Sequence, residues 1–572
     1  MKPGYMKSLY LLVAATVVMS AAVADEKDSV FQWNTVVNNN DRMPPLGTRN
    51  FNSYNQPSVN THGLVVIRAR SRGGPPLGPP THGIYTRDMS DANSEIVMVL
   101  DKATPVPGPN NLQSNFVETP SFPRIDMRSD TIVTRGNHQP VQGYFEDDGT
   151  ETRAGTTGIY TNPYGDLITG AAKLGHVPGF GFFGVPEFSA GTPFEVFPGA
   201  PAVTNGNTIV FKGNYTIDGV ASTGVYFRHL RPEQAGGDSP SEMIANNTDT
   251  LIPGTRTVFG STAPPNAAGR KVVFAGFDDE EAPKKGGIYL APLQPQPRLT
   301  TLVKIGGRAP GDTNKGRFNA LGEGIAFDGR FVGFWGAWGD DTRTLRLYCQ
   351  EEGNKDRIAY CNKALECADT GETMGDPTSV CDDETDPNYG KHCYQERDVP
   401  MNQGIFVHDT RTKETHLVAR TGDDFDDFLF WNYSGKAPCT GEGHSEEGGE
   451  DDGESVRWRS SAFVAVSAGL GVTFRSAFKA RTAESFDRVY VDPIDGVYLR
   501  QGPRWQPIRT VVDTTMLGQA LDPEAPAESL ILEVGIEREG LRGRWLVINA
   551  SMDVEGGEEE DGMAGVYITQ VD

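Results

Sequence analysis

Outside one stretch the 572-residue chain has no cysteine. All six, Cys349, Cys361, Cys367, Cys381, Cys393 and Cys439, lie in a single region. None forms the C-x2-C pair of a structural zinc site, which argues against zinc as their purpose. Cationic excess is also lacking: 52 Lys and Arg stand against 76 Asp and Glu, a formal charge of −24. A nucleic-acid partner is thereby excluded, because the phosphate backbone demands a basic footprint. After the first two dozen residues no apolar run reaches the roughly 18 to 20 residues of a membrane helix, so the protein is expected not to be membrane-embedded. Lys/Glu-rich helical stretches are missing too. The signatures G-x-x-x-x-G-K-[ST], H-E-x-x-H and G-x-S-x-G do not occur, and neither does a calcium loop of the EF type. The run Gly179 to Gly184 matches G-x-G-x-x-G but sits among strands, with no helix to present amides to a pyrophosphate.

What is present begins with a leader. Lys2 and Lys7, the apolar Leu9 to Val18 and the small residues Ala22 and Ala24 read as a signal peptide over 1–24. The mature chain, 25–572, is then expected to be secreted and extracellular, with the periplasm or cell surface inside the same expectation. In that setting an even, clustered set of cysteines reads as disulfides. Their pairing stays open, since six cysteines allow about 15 connectivities.

The 67 glycines and 39 prolines punctuate a repeat. A strand beginning Gly-Φ-aromatic occurs at Gly83, Gly158, Gly224, Gly287, Gly404, Gly496 and Gly565. Before each lies a β-rich run after a turn residue, clearest after Gly206, Gly269 and Gly329, weaker after Gly63, Ser129, Gly469 and Gly543. After each but the last comes an apolar run toward a Gly or Pro-Gly turn, as in Ile96 to Gly108, Ala171 to Gly179 and Thr301 to Gly311. The last unit ends at Asp572 without that third run, and Trp33 to Val37 near the mature start supplies one. These patterns predict an all-β, seven-bladed β-propeller closed by its N-terminal strand, because pairing the two ends hides the edges. Each blade would have strands a to d from the axis outward. The turn-Gly run is b, Gly-Φ-aromatic is c, the third run is d, and a is the least marked, as in Ala320 to Phe327.

The pattern over Asn266 to Gly276, Gly287 to Tyr289 and Leu302 to Gly311 resembles that of exported tandem-repeat β-propeller proteins. The resemblance extends over nearly all the mature chain at the level of the repeat. It implies a fold and an extracellular setting, and it carries no agreed activity or catalytic residues.

Function on a propeller sits in loops, because the strands are consumed by packing. In this topology the b–c loops and d–a connections share one face. The b–c loop of the fifth unit is greatly enlarged, giving a cysteine-rich insertion over 337–403, and the next d–a connection, 424–462, is enlarged and acidic. At least one disulfide is expected to join Cys439 to the 349–393 group. Carboxylates cluster on the same face at Glu146 to Asp148, Asp278 to Glu281, Asp340, Asp341 and Glu555 to Asp561, whereas the first unit places Arg68, Arg70 and Arg72 there. Hard cations want several carboxylate oxygens, so Asp423, Asp424, Asp426 and Asp427 are candidate Ca2+ ligands, against the plainer reading of solvated loop tips. Trp335, Trp338 and Trp431 beside Asp340 and Asp341 offer stacking faces and acceptors for a glycan, against a role in the blade core. Sequons stand at Asn214, Asn246, Asn432 and Asn549, the last the poorest because it closes a b run. The residues together predict an extracellular binding or scaffold propeller whose partner is a protein or glycan. The alternative is a carbohydrate-active enzyme, a glycoside hydrolase or polysaccharide lyase, with acidic residues near the axial pocket. A hydrolase needs two carboxylates roughly 5 to 10 Å apart, and no pair is marked.

Overall fold

The computed structural model describes residues 31–571 apart from 46, 75, 77, 109–112, 121, 146–148, 178–182, 187–191, 232–239, 281, 313, 348–394, 422–427, 431–463, 468–470, 479–480, 483–489, 492–493, 503–506 and 555–561. The chain is all-β with a β-propeller arrangement, and helix is limited among the described residues to short 3-10 turns such as Lys173–His176. The turn glycines do what their lack of a Cβ permits: Gly269 and Gly329 take φ of +57° and +97° between strands a and b. The β-branched and aromatic runs that follow become strands Lys271–Phe277 and Phe331–Leu347.

Among the described residues the strands form seven antiparallel sheets with a four-strand path, plus two short ribbons. The first sheet has strand b at Leu64–Ser71, c at His82–Asp88 and d at Val97–Asp101. Strand a is broken in two, Phe51–Tyr54 and Ser58–Val59, both paired to b. The same division of strand a recurs in every sheet except the third, whose inner strand is Ala202–Thr204 alone. This break explains why strand a is so poorly marked in sequence. In the second sheet strand d is Asp166–Ala172, starting earlier than the expected Ala171, because the turn at Gly165 already reverses the chain.

The Gly-Φ-aromatic signature has a steric cause. Where strands c and d pair, the register slips between Φ and the aromatic, as at Ile288/Tyr289 and Val225/Tyr226, leaving one residue of strand d bulged. Strand d therefore crosses close over the glycine. A Cβ on Gly224 would lie 2.6 Å from Tyr226 Oη and 2.8 Å from the Ala245 carbonyl oxygen. The tyrosine ring in turn meets an aromatic from the strand-a side edge-on: Phe51–Tyr85 at 5.0 Å, Phe116–Tyr160 at 4.7 Å, Phe259–Tyr289 at 5.3 Å.

The N-terminal strand Asn34–Asn38 pairs with Met563–Gln570, Thr35 opposite Tyr567 and Val37 opposite Val566, with Val36 bulged between them. In the fifth sheet Val418 occupies the same place opposite Ile405 and Phe406. The core lies between sheets: among the described residues seven clusters of buried apolar side chains each join two sheets. One of them sets Val36, Val37, Val566 and Ile568 from the two chain ends against Val65, Ile67 and Tyr85 of the first sheet. Each such Val or Ile contributes roughly 1.5 to 3 kcal/mol by leaving water. The innermost strand pieces touch in turn, from Ser58–Val59 through Arg124–Ile125, Ala202–Thr204, Asn266–Ala268, Ala326–Phe327, Val464–Ser467 and Leu541–Arg542, which returns to Ser58–Val59.

Part of the 337–403 insertion is regular structure. Strands Phe331–Leu347 and Gln395–Asp409 stay paired out to Leu347 opposite Gln395. At about 3.3 Å per residue the stretch beyond Trp338 extends roughly 30 Å. The expected signal peptide over 1–24, all six cysteines with the disulfides expected of them, and most of 424–462 lie outside the described residues. Among the described residues no helix is long and apolar enough to cross a membrane.

Candidate functional site

The segment between Leu530–Gly535 and Leu541–Arg542, the split inner strand of the last sheet, carries Glu537, Arg538 and Glu539. Where the inner strands converge, these charges are buried with Arg124 and Arg542. Arg124 Nη2 donates to Glu537 Oε1 at 2.8 Å, and Arg538 Nε reaches the same oxygen at 3.3 Å. Arg542 lies 3.8 Å from Glu539 and donates to the carbonyls of Phe327 and Val466, tying the fifth and sixth sheets to the seventh. Burial pushes the Glu537 carboxyl up, but Arg124, Arg538 and the Arg538 amide together outweigh it and hold the group below the usual carboxylate range. Burial, followed by the Arg124 charge, lowers Arg538 to about 10. The carboxylates at this point of the axis are thus committed to guanidinium groups. Sequence reasoning passed over them because the run Glu537-Arg538-Glu539 lies in the unmarked strand a. Alternating charge between two apolar strands was the available signal.

Toward the a–b end, hydrogen bonds stitch one turn to the next. Thr131 Oγ1 donates to the Gly206 carbonyl at 2.7 Å, Thr204 Oγ1 to Gly269 at 3.0 Å and Ser467 Oγ to Gly543 at 3.1 Å. A cavity of about 630 Å³ opens among the turns of the second to fifth sheets, lined by Asp126, Arg128, Arg270, Lys271, Asp328 and Arg330 among others. On the b–c side a second cavity, about 510 Å³, is lined by Asn39, Asn40, Arg49, Asn50, Arg72 and Glu524. Glu524 accepts from Asn38 at 3.2 Å and Asn40 at 2.9 Å, and these bonds lower its pKa.

The residues singled out in sequence fall in different places. Trp335 and Trp338 are 1% and 2% exposed, which corrects the expectation of stacking faces for a glycan. Trp335 Nε1 donates to Gln403 Oε1 at 3.1 Å, and Trp338 packs edge-on to Phe406. The cause is that this strand is covered on both faces, Trp335 packing in the cluster shared with the sixth sheet and Trp338 in that shared with the fourth. Asp340 and Asp341 are exposed beside the register slip between Trp338 and Thr342. Asp278 and Asp279 cap their own loop, accepting from the amides of Lys284, Lys285 and Ala282. Arg68 and Arg70 approach Glu118 at 3.9 and 3.6 Å rather than standing alone on the face. Asn246 is 1% exposed and its Oδ1 accepts from Asp249 and Thr250, which corrects its reading as a glycosylation site. Asn214 is half-buried, its backbone bonded to Glu195 and Val196. Trp431, Asn432, Asp423, Asp424, Asp426 and Asp427 lie outside the described residues. Among the described residues no cluster of His, Cys, Asp and Glu could hold a metal ion.

No family model matches the chain, and no curated protein does. Solved structures are similar at the level of shape. Prolyl oligopeptidase B from Galerina marginata, bound to a 35mer substrate, aligns over 92% of this chain and 52% of its own, at 7% identity and a TM-score of 0.36. The polysaccharide lyase Uly1 aligns over 51% and 56%, at 10% identity and a TM-score of 0.24. Trypanosoma rangeli sialidase with sialic acid aligns over 95% and 92%, at 10% identity and a TM-score of 0.26. The chain spans about half the length of the first two. At these scores the likenesses carry no functional argument.

Proposed function

We propose that this protein is an exported ligand-binding or scaffold propeller of seven blades, closed by its N-terminal strand, that engages a protein or glycan through the face of the acidic loops and the cysteine-rich insertion. The observation that carries the reading is the commitment of Glu537 and Glu539 to Arg124, Arg538 and Arg542 at the axis. A hydrolase would need one carboxyl held protonated for general acid work, and Glu537 is shifted the other way. The loops on the b–c face, including exposed Asp340 and Asp341, then remain the functional surface. The test is a panel of polysaccharides and glycans incubated with the purified protein. Binding without release of reducing ends or unsaturated uronate is the expected result, and turnover would overturn the reading.

Blade count and closure are supported by the pairing of Thr35 and Val37 with Tyr567 and Val566 and by the cluster the two ends share. Deleting residues 31–38 should expose that cluster and abolish cooperative unfolding; an unchanged melt would remove the closure. We also expect three disulfides among the six cysteines, which non-reducing mass mapping tests. A Tm insensitive to chelator would remove Ca2+.

A further inference from the structure

The geometry points to a second binding site at the opposite end from the acidic loops: an axial vestibule for a small multivalent oxyanion. Its walls are the a–b turns of the second to fifth sheets, around a cavity of about 630 Å³. Among the described residues four cations line it, Arg128, Arg270, Lys271 and Arg330, against two acids, Asp126 and Asp328.

The acids serve the turns. Asp126 accepts from the amides of Arg128, Ser129 and Gly206, and Asp328 from those of Arg330 and Phe331. Arg330 is held by Asp409 through two bonds, 3.0 and 2.6 Å. Arg128, Arg270 and Lys271 are exposed, and among the described residues no ion pair takes up their charge. Behind the wall, Arg542 donates to the carbonyl of Phe327, the neighbour of Asp328, and the axial cluster brings three guanidinium groups against two carboxylates. A positive recess on a chain of charge −24 is set apart from its surroundings. A cleft lined by one sign of charge focuses the field and concentrates ions of the other sign.

The lining also limits the ligand class. Among the described residues no aromatic ring borders the cavity, and its larger apolar side chain is Met127, so a neutral sugar would find no stacking face. Three cations on short turns suit an anion with several charged oxygens, phosphoryl or carboxylate, which arginine recognises through paired N–H groups. This site does not depend on the acidic face, so its failure leaves that reading standing.

Tripolyphosphate, citrate and maltotriose titrated calorimetrically into the full mature protein, at matched ionic strength, provide the test. Tripolyphosphate or citrate should bind, the stronger of the two naming the ligand source, and maltotriose should not. The triple variant Arg128→Gln, Arg270→Gln, Lys271→Gln changes exposed side chains, should keep the wild-type Tm, and should bind at least about tenfold more weakly. Asp340→Asn with Asp341→Asn, on the far face, should bind as the parent does. Heat with neither anion, equal affinity in the triple variant, or competition by maltotriose would each overturn the vestibule.

Discussion

The two ends of the molecule are built from the same strands and are used differently. At the a–b end the described turns are short, Gly63, Gly206, Gly269, Gly329 and Gly543 reverse the chain at positive φ, and Thr131, Thr204 and Ser467 each bond to the turn of the next sheet. At the b–c end the connections vary from the tight turn between Thr208–Ile217 and Val220–His229 to the paired arms that leave the fifth sheet. The difference teaches where this fold tolerates change. The inner turns converge on the axis, where space is shared among all the sheets, so their length is fixed by packing. The b–c ends of the middle strands lie farther out, where an added residue meets solvent.

That contrast can be broken at several points. The largest effect should come from the axis: Glu537→Gln leaves Arg124 and Arg538 buried without their counter-charge, costing about 3 to 5 kcal/mol in denaturant unfolding. A loss below about 1 kcal/mol would mean that the cluster is wetter than its burial suggests. Next comes the wall of a blade. Gly287→Ala drives a Cβ into the Val303 carbonyl and the Lys304 backbone and should cost about 2 to 3 kcal/mol.

His82 offers a milder and pH-dependent comparison. It is buried where strand c begins, and burial, then Arg68, Arg70 and Lys102, lower its pKa from 6.5 to about 4. A neutral native histidine that charges on unfolding adds stability fully present above about pH 6.5, lost as pH falls toward 4. His82→Gln should therefore flatten the fall in Tm over that window. A slope unchanged by the substitution would assign the acid sensitivity elsewhere. The smallest effect belongs to the outer loops: Asp340→Asn with Asp341→Asn should change stability by under about 0.5 kcal/mol. A larger loss would show that the b–c end is structurally as constrained as the a–b end.

The all-β class and the propeller arrangement were legible because they are written locally. A glycine before Φ-aromatic marks a strand crossed by its neighbour, and Ile288-Tyr289 slips its register as Val225-Tyr226 does. The site was much less legible. Trp335 and Trp338 look like candidates for stacking on a ligand, and only the cover on both faces of the fifth sheet removes them. Asn246 fits a glycosylation sequon, and only its burial and its bonds to Thr250 exclude it. The basic residues after the turn glycines, Arg270, Lys271 and Arg330, were visible in sequence, but their convergence was not.

By itself the sequence determined strand type and the turns, since these depend on steric preferences within a few residues. Tertiary structure alone decided which charges are spent and which are offered. Arg124 and Glu537 lie far apart in the chain and meet at 2.8 Å, and a pairing across that distance is set by how the sheets stack about the axis, which no local pattern encodes.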